Sequence, residues 1–90
     1  MSYTYVEYRK YALTDDGQKK TLAVLRFANR ALEMAGAVRA DKLMAAAGSG
    51  TSWDLMACVD RLVELDELRE VVSAGTTAWQ YRVFVSGRHD

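Results

Sequence analysis

Cysteine and histidine, the side chains that most often carry nucleophilic or metal chemistry, occur once each in these 90 residues, as Cys58 and His89. One cysteine admits no disulfide within the chain, and one cysteine with one distant histidine falls short of any metal-ligand spacing. No Ser/His/Asp or Cys/His arrangement supplies a nucleophile with its base. The stretch "GSGTSW" lacks the lysine that a phosphate loop of the GxxxxGK[ST] kind requires. Catalysis, a metal and a cofactor are therefore not expected, and Cys58 reads as a small core residue. What remains is recognition. "SGTSWDLMACVDR" sets hydroxyls in a tight turn ahead of a helix, whose free N-terminal amides favour an anion, and follows them with a tryptophan.

Periodicity shows which elements must position that stretch. Residues 1–13 alternate Tyr and Val with polar groups and predict an N-terminal strand or arm, although Tyr5, Tyr8 and Ala12 also fit a helical stripe. "TDDG" then marks a turn or helix start. Over 18–35, Val24, Leu25, Ala28, Ala31 and Leu32 share an arc with Phe27, Met34 and Ala35, opposite Arg26, Asn29, Arg30 and Glu33. This predicts a first helix, stopped at Gly36. A short second helix is predicted over 40–47, with Leu43, Met44 and Ala47 facing inward.

Thr51 stands three residues before Asp54, the spacing of a capping box, and opens a third helix over 52–65. Leu55, Met56, Val59, Leu62 and Val63 share one face of it; Trp53, Ala57, Asp60, Arg61 and Glu64 share the other. Around Leu65–Arg69 the apolar period shifts from 3.6 towards 2, with Leu62, Leu65 and Leu68 expected to plug the junction. "LREVVS" and "AWQYRVFV" flank the turn "AGTT", predicting a β-hairpin over 68–86. The chain reads as one α+β domain spanning 1–90.

Composition narrows the partners. Twelve basic residues balance 12 acidic ones, without the basic excess of a free-standing nucleic-acid binder. No apolar run approaches the length of a membrane span, so no membrane contact and a cytoplasmic location are expected.

Between Val38 and Val71, "VRADKLMAAAGSGTSWDLMACVDRLVELDELREV", followed by a hairpin ending in "YRVFV", resembles a winged helix-turn-helix of the bacterial transcriptional regulator type. The resemblance covers about residues 20–86 and leaves the N-terminal strand outside it. It implies three helices and a hairpin wing, with the third helix reading duplex DNA in the major groove. Carried onto this chain, the reading residues are Thr51, Ser52, Trp53, Ala57 and Arg61. Ser49, Thr51 and Ser52 would donate to a phosphate, Arg61 would meet a guanine, and Ala57 would meet a thymine methyl. Arg39, Lys42, Lys19 and Lys20 would clamp the backbone, and Thr76 and Thr77, with Ser73, would touch it from the wing. A homodimer is expected of such a regulator, since paired helices read paired half-sites.

Charge along the chain favours a different class. Residues 1–30 hold six basic against three acidic groups, while 49–75 hold two basic (Arg61, Arg69) against six acidic. Carboxylates facing a duplex oppose binding. The alternative is a winged-helix protein–protein interaction module, an adaptor or phage-encoded inhibitor of a host complex, docking through Trp53 and the acidic face of the third helix. Tyr3, Tyr5, Tyr8 and Tyr11 either cover the open edge of the sheet or form a self-association surface.

Overall fold

The computed structural model describes residues 3–72 and 81–87. It is an α+β arrangement of four helices and a three-stranded antiparallel sheet, in the order α1 (Tyr5–Ala12), α2 (Asp15–Ala35), β1 (Val38–Arg39), α3 (Ala40–Ala47), α4 (Ser52–Glu64), β2 (Leu68–Val72) and β3 (Val83–Ser86). The sheet order is β1-β3-β2, so β3 lies at its centre. Val38 pairs with Phe84 on one side, and Glu70 pairs with Phe84 on the other.

Local chemistry accounts for the boundaries. Thr14 caps α2 by accepting from the Gly17 amide at 3.0 Å. At the far end Gly36 takes a left-handed φ of 77°, and its N–H closes on the Leu32 carbonyl. Thr51 caps α4 by accepting from the Asp54 amide at 3.3 Å, the first half of the expected capping box. α4 ends at Glu64, and β2 starts at Leu68, close to the shift in period.

α2, α3, α4 and the sheet enclose one core built on Val24, Leu43, Met56, Val59, Leu62 and Phe84. Each such side chain contributes about 1.5–3 kcal/mol on removal from water. Leu62 and Leu68 plug the helix–strand junction as expected. Leu65 does not: it is the C-cap of α4 and stands 49 % exposed.

The N-terminal strand is corrected. Residues 5–12 form a helix, making four helices among the described residues rather than three, and that helix lies along α4 rather than at the edge of the sheet. Side-chain partners 55 to 59 residues away decide the matter (Tyr3 to Asp60, Tyr5 and Arg9 to Glu64), overriding the β preference of Tyr and Val. The α1–α2 corner is tight. A Cβ on Gly17 would fall 1.9 Å from the Tyr11 carbonyl oxygen, so only glycine admits this approach.

Candidate functional site

α4 was expected to present one polar face. Instead Leu55, Met56, Ala57, Cys58, Val59 and Asp60 are buried in unbroken succession, covering more than a full turn. A helix enclosed on every side through its middle is a core helix. Its apolar arc meets α2, α3 and the sheet, and the arc expected to face a partner is occupied by α1 and the residues before it.

That cover is built from a polar network with an aromatic seam. Tyr3 donates its hydroxyl to Asp60 at 2.6 Å. Tyr5 donates to Glu64 at 2.8 Å, and Arg9 reaches the same carboxylate at 2.9 Å. Tyr3 stacks on Tyr8 with ring centroids 5.8 Å apart, and Tyr8 meets Trp53 edge-on at 5.6 Å. From the sheet side Arg82, itself buried, forks between Asp60 at 2.8 Å and Glu70 at 2.7 Å, above the Phe84 ring. Every buried side-chain N and O among the described residues has a partner.

Electrostatics follow from this geometry. The Tyr5 hydroxyl, then Arg61 and Arg9, hold the Glu64 carboxyl down to about 2. Burial, followed by the Glu64 carboxylate, pushes the Tyr5 phenol up to about 12. Burial and Asp60 raise Tyr3 in the same sense. Burial opposes the charge on Arg82, but its hydrogen bonds to Glu70 and Asp60 outweigh that and strengthen its hold on the proton.

The structure places several of the expected reading residues against other parts of the chain. Ala57 is 0 % exposed and touches no solvent, so it cannot meet a thymine methyl. Trp53 is half-buried against Tyr8 rather than standing free. Arg61 is half-buried, and its Nη1 donates to Glu64 at 2.6 Å. Lys20 is an internal clamp, bonded to the Ser49 carbonyl and paired with Asp16. Arg39 pairs with Asp41 at 2.8 Å and lies over the Tyr81 ring.

The remaining expectations are scattered. Ser49, Thr51, Ser52, Lys19 and Lys42 are exposed, but only the first three share one turn. Ser73, Thr76 and Thr77 lie outside the described residues. Asp60, which a DNA-facing helix would not explain, is 8 % exposed and joins Tyr3 to Arg82.

A second feature escaped sequence reasoning. The α1–α2 turn, α2 and the end of α4 enclose an open groove of about 660 Å³. Leu13, Leu22, Leu25, Leu62 and Leu65 wall it; Asp15, Lys19, Arg61 and Glu67 stand at its rim. Leu13, Leu22 and Leu65 are 38 %, 46 % and 49 % exposed, so this is exposed apolar surface gathered in one place. The leucines were legible singly; their convergence required the position of α1.

Among the described residues no group of three metal-ligating side chains gathers, and no helix is long and apolar enough to cross a membrane. Comparison of the chain with protein-family models, with curated proteins and with solved structures finds no match.

Proposed function

We propose that this chain is a winged-helix variant that works as a protein–protein interaction module, with α4 as its structural centre rather than as a DNA-reading helix. The element order from α2 to β3 and the β1-β3-β2 sheet support a winged-helix reading, with α1 as an addition at the N-terminus. One observation carries the functional reading. The arc of α4 that a winged helix would lay in the major groove is closed by α1, Tyr3 and Arg82, with Ala57 and Asp60 buried beneath them. A groove-binding helix needs an open face. The open apolar surface lies elsewhere, in the leucine groove.

A second reading, a DNA-binding regulator, draws support from Lys19, Lys42, Arg26 and Arg30. All are exposed, and none takes part in an ion pair among the described residues. In that reading these cations hold phosphates, and α4 reaches bases only after α1 has left it.

Fluorescence anisotropy of labelled random and genomic duplexes, at low salt and micromolar protein, separates the two. The interaction module leaves anisotropy unchanged. Binding that weakens steeply with salt, with a slope reporting several phosphates, overturns it in favour of the regulator.

A further inference from the structure

We propose that the leucine groove between the α1–α2 turn, α2 and the end of α4 is the contact face of a two-fold symmetric homodimer, filled by the same leucines of a second copy. This rests on the interaction-module reading and names its partner.

A two-fold contact joins one patch to itself, so the patch must be self-complementary in shape and in charge. The groove meets both conditions. Leu22 and Leu65, about half exposed, line the same groove as Leu25 and the buried Leu62, so each copy offers both exposed leucines and a recess to receive them. The lining carries both signs, and Asp15 and Lys19 lie one turn apart on α2, so a two-fold axis passing between them sets each against its opposite on the other copy. Asp15 and Lys19 take part in no ion pair among the described residues. A strongly acidic or basic partner would face a like charge at Asp15 or at Lys19, whereas a second copy placed about that axis does not. The chain's 12 basic and 12 acidic residues also leave no net repulsion between copies.

Sedimentation equilibrium of the full chain from 1 to 300 µM, at moderate salt, tests the assignment. The expected result is a reversible monomer–dimer equilibrium. Leu22→Asp and Leu65→Asp, at half-exposed positions where folding tolerates a charge, should each weaken it at least tenfold, with the far-ultraviolet spectrum unchanged. Met34→Asp, 83 % exposed and outside the groove, should leave it unaltered. Lys19→Glu should weaken association, and the Asp15→Lys/Lys19→Glu double variant should restore part of the loss.

A chain that stays monomeric throughout, or a dimer that survives both leucine substitutions, overturns the assignment. The duplex assay reports separately on the parent reading. A monomer that ignores DNA refutes the dimer alone, and a chain that binds duplex in a salt-dependent way refutes the interaction reading whatever its mass.

Discussion

Replacing Asp60 by alanine separates a covered α4 from an open one. In the structure Asp60 is buried and holds two partners, accepting from Tyr3 at 2.6 Å and from Arg82 at 2.8 Å. Removing one member of a buried ion pair typically destabilises by about 3–5 kcal/mol, because the other charge is left without its partner. Arg82 retains the Glu70 fork at 2.7 and 2.8 Å, which lowers the expected loss to roughly 2–4 kcal/mol. For a domain of this size, whose total stability is on the order of 5–13 kcal/mol, that is a large share. At about 4–8 °C per kcal/mol, the melting temperature should fall by roughly 8 °C or more. Urea unfolding followed by circular dichroism at pH 7 measures the loss. In a Tyr3→Phe background the same replacement should be milder by about 1 kcal/mol, since the phenol it would strand is already gone. An Asp60 on an open helix face behaves oppositely: its loss leaves stability within about 0.5 kcal/mol and strengthens duplex binding by removing a repelling charge. A neutral Asp60→Ala would refute the covered α4 and the functional reading built on it.

Other perturbations probe the same architecture. Gly17→Ala forces a methyl group against the Tyr11 carbonyl and should destabilise by about 1–3 kcal/mol or more, measured by the same unfolding assay. Glu64 has a depressed folded pKa, so its contribution is complete above the unfolded value near 4.5 and disappears as pH falls towards about 2. Trp53 sits against Tyr8, so its fluorescence should report α1 loosening across that interval, and Glu64→Gln should flatten the change. Tyr5 has a raised folded pKa, so its contribution is complete below the unfolded value near 10 and disappears as pH climbs through about 12. Tyr5→Phe should reduce the fall in stability over that alkaline interval. Burial raises the Cys58 thiol, and Cys58 should react with a thiol reagent only at the rate of unfolding, accelerating in urea.

The elements whose signals are local were legible. Thr51, Gly36 and the apolar arc of 18–35 each act within a few residues, and α2, α3 and α4 run close to the expected spans. The β2–β3 pairing matches the strands expected around the "AGTT" turn, which itself lies outside the described residues. α1 was not legible because "SYTYVEYRKYAL" supports two periods, and the deciding partners lie more than 50 residues downstream. One clue was present. The supposedly polar arc of α4 contains Ala57, beside Cys58, and small side chains let another helix approach closely. Leu65 was assigned to the junction core because a leucine at a helix end usually is; here the C-cap conformation directs it into the groove wall.

Charge segregation along the chain has a structural cause as well as a functional reading. The basic surplus of residues 1–30 and the acidic surplus of 49–75 resemble a phosphate clamp next to an unsuitable reading helix. In the fold the two segments are tied together, because Arg9 crosses to the Glu64 carboxylate and Lys20 donates to the Ser49 carbonyl. Asp60 and Glu70 are taken up by Arg82, the residue before β3, and Glu64 also binds Arg61. Asp60, Glu64 and Glu70 thus hold intramolecular contacts instead of repelling a partner. A chain evolving to lay α4 along a polyanion would have to expose those carboxylates and then remove them. One that keeps α4 inside the protein can retain them as fasteners for α1 and β3, leaving recognition to surfaces where the charges balance.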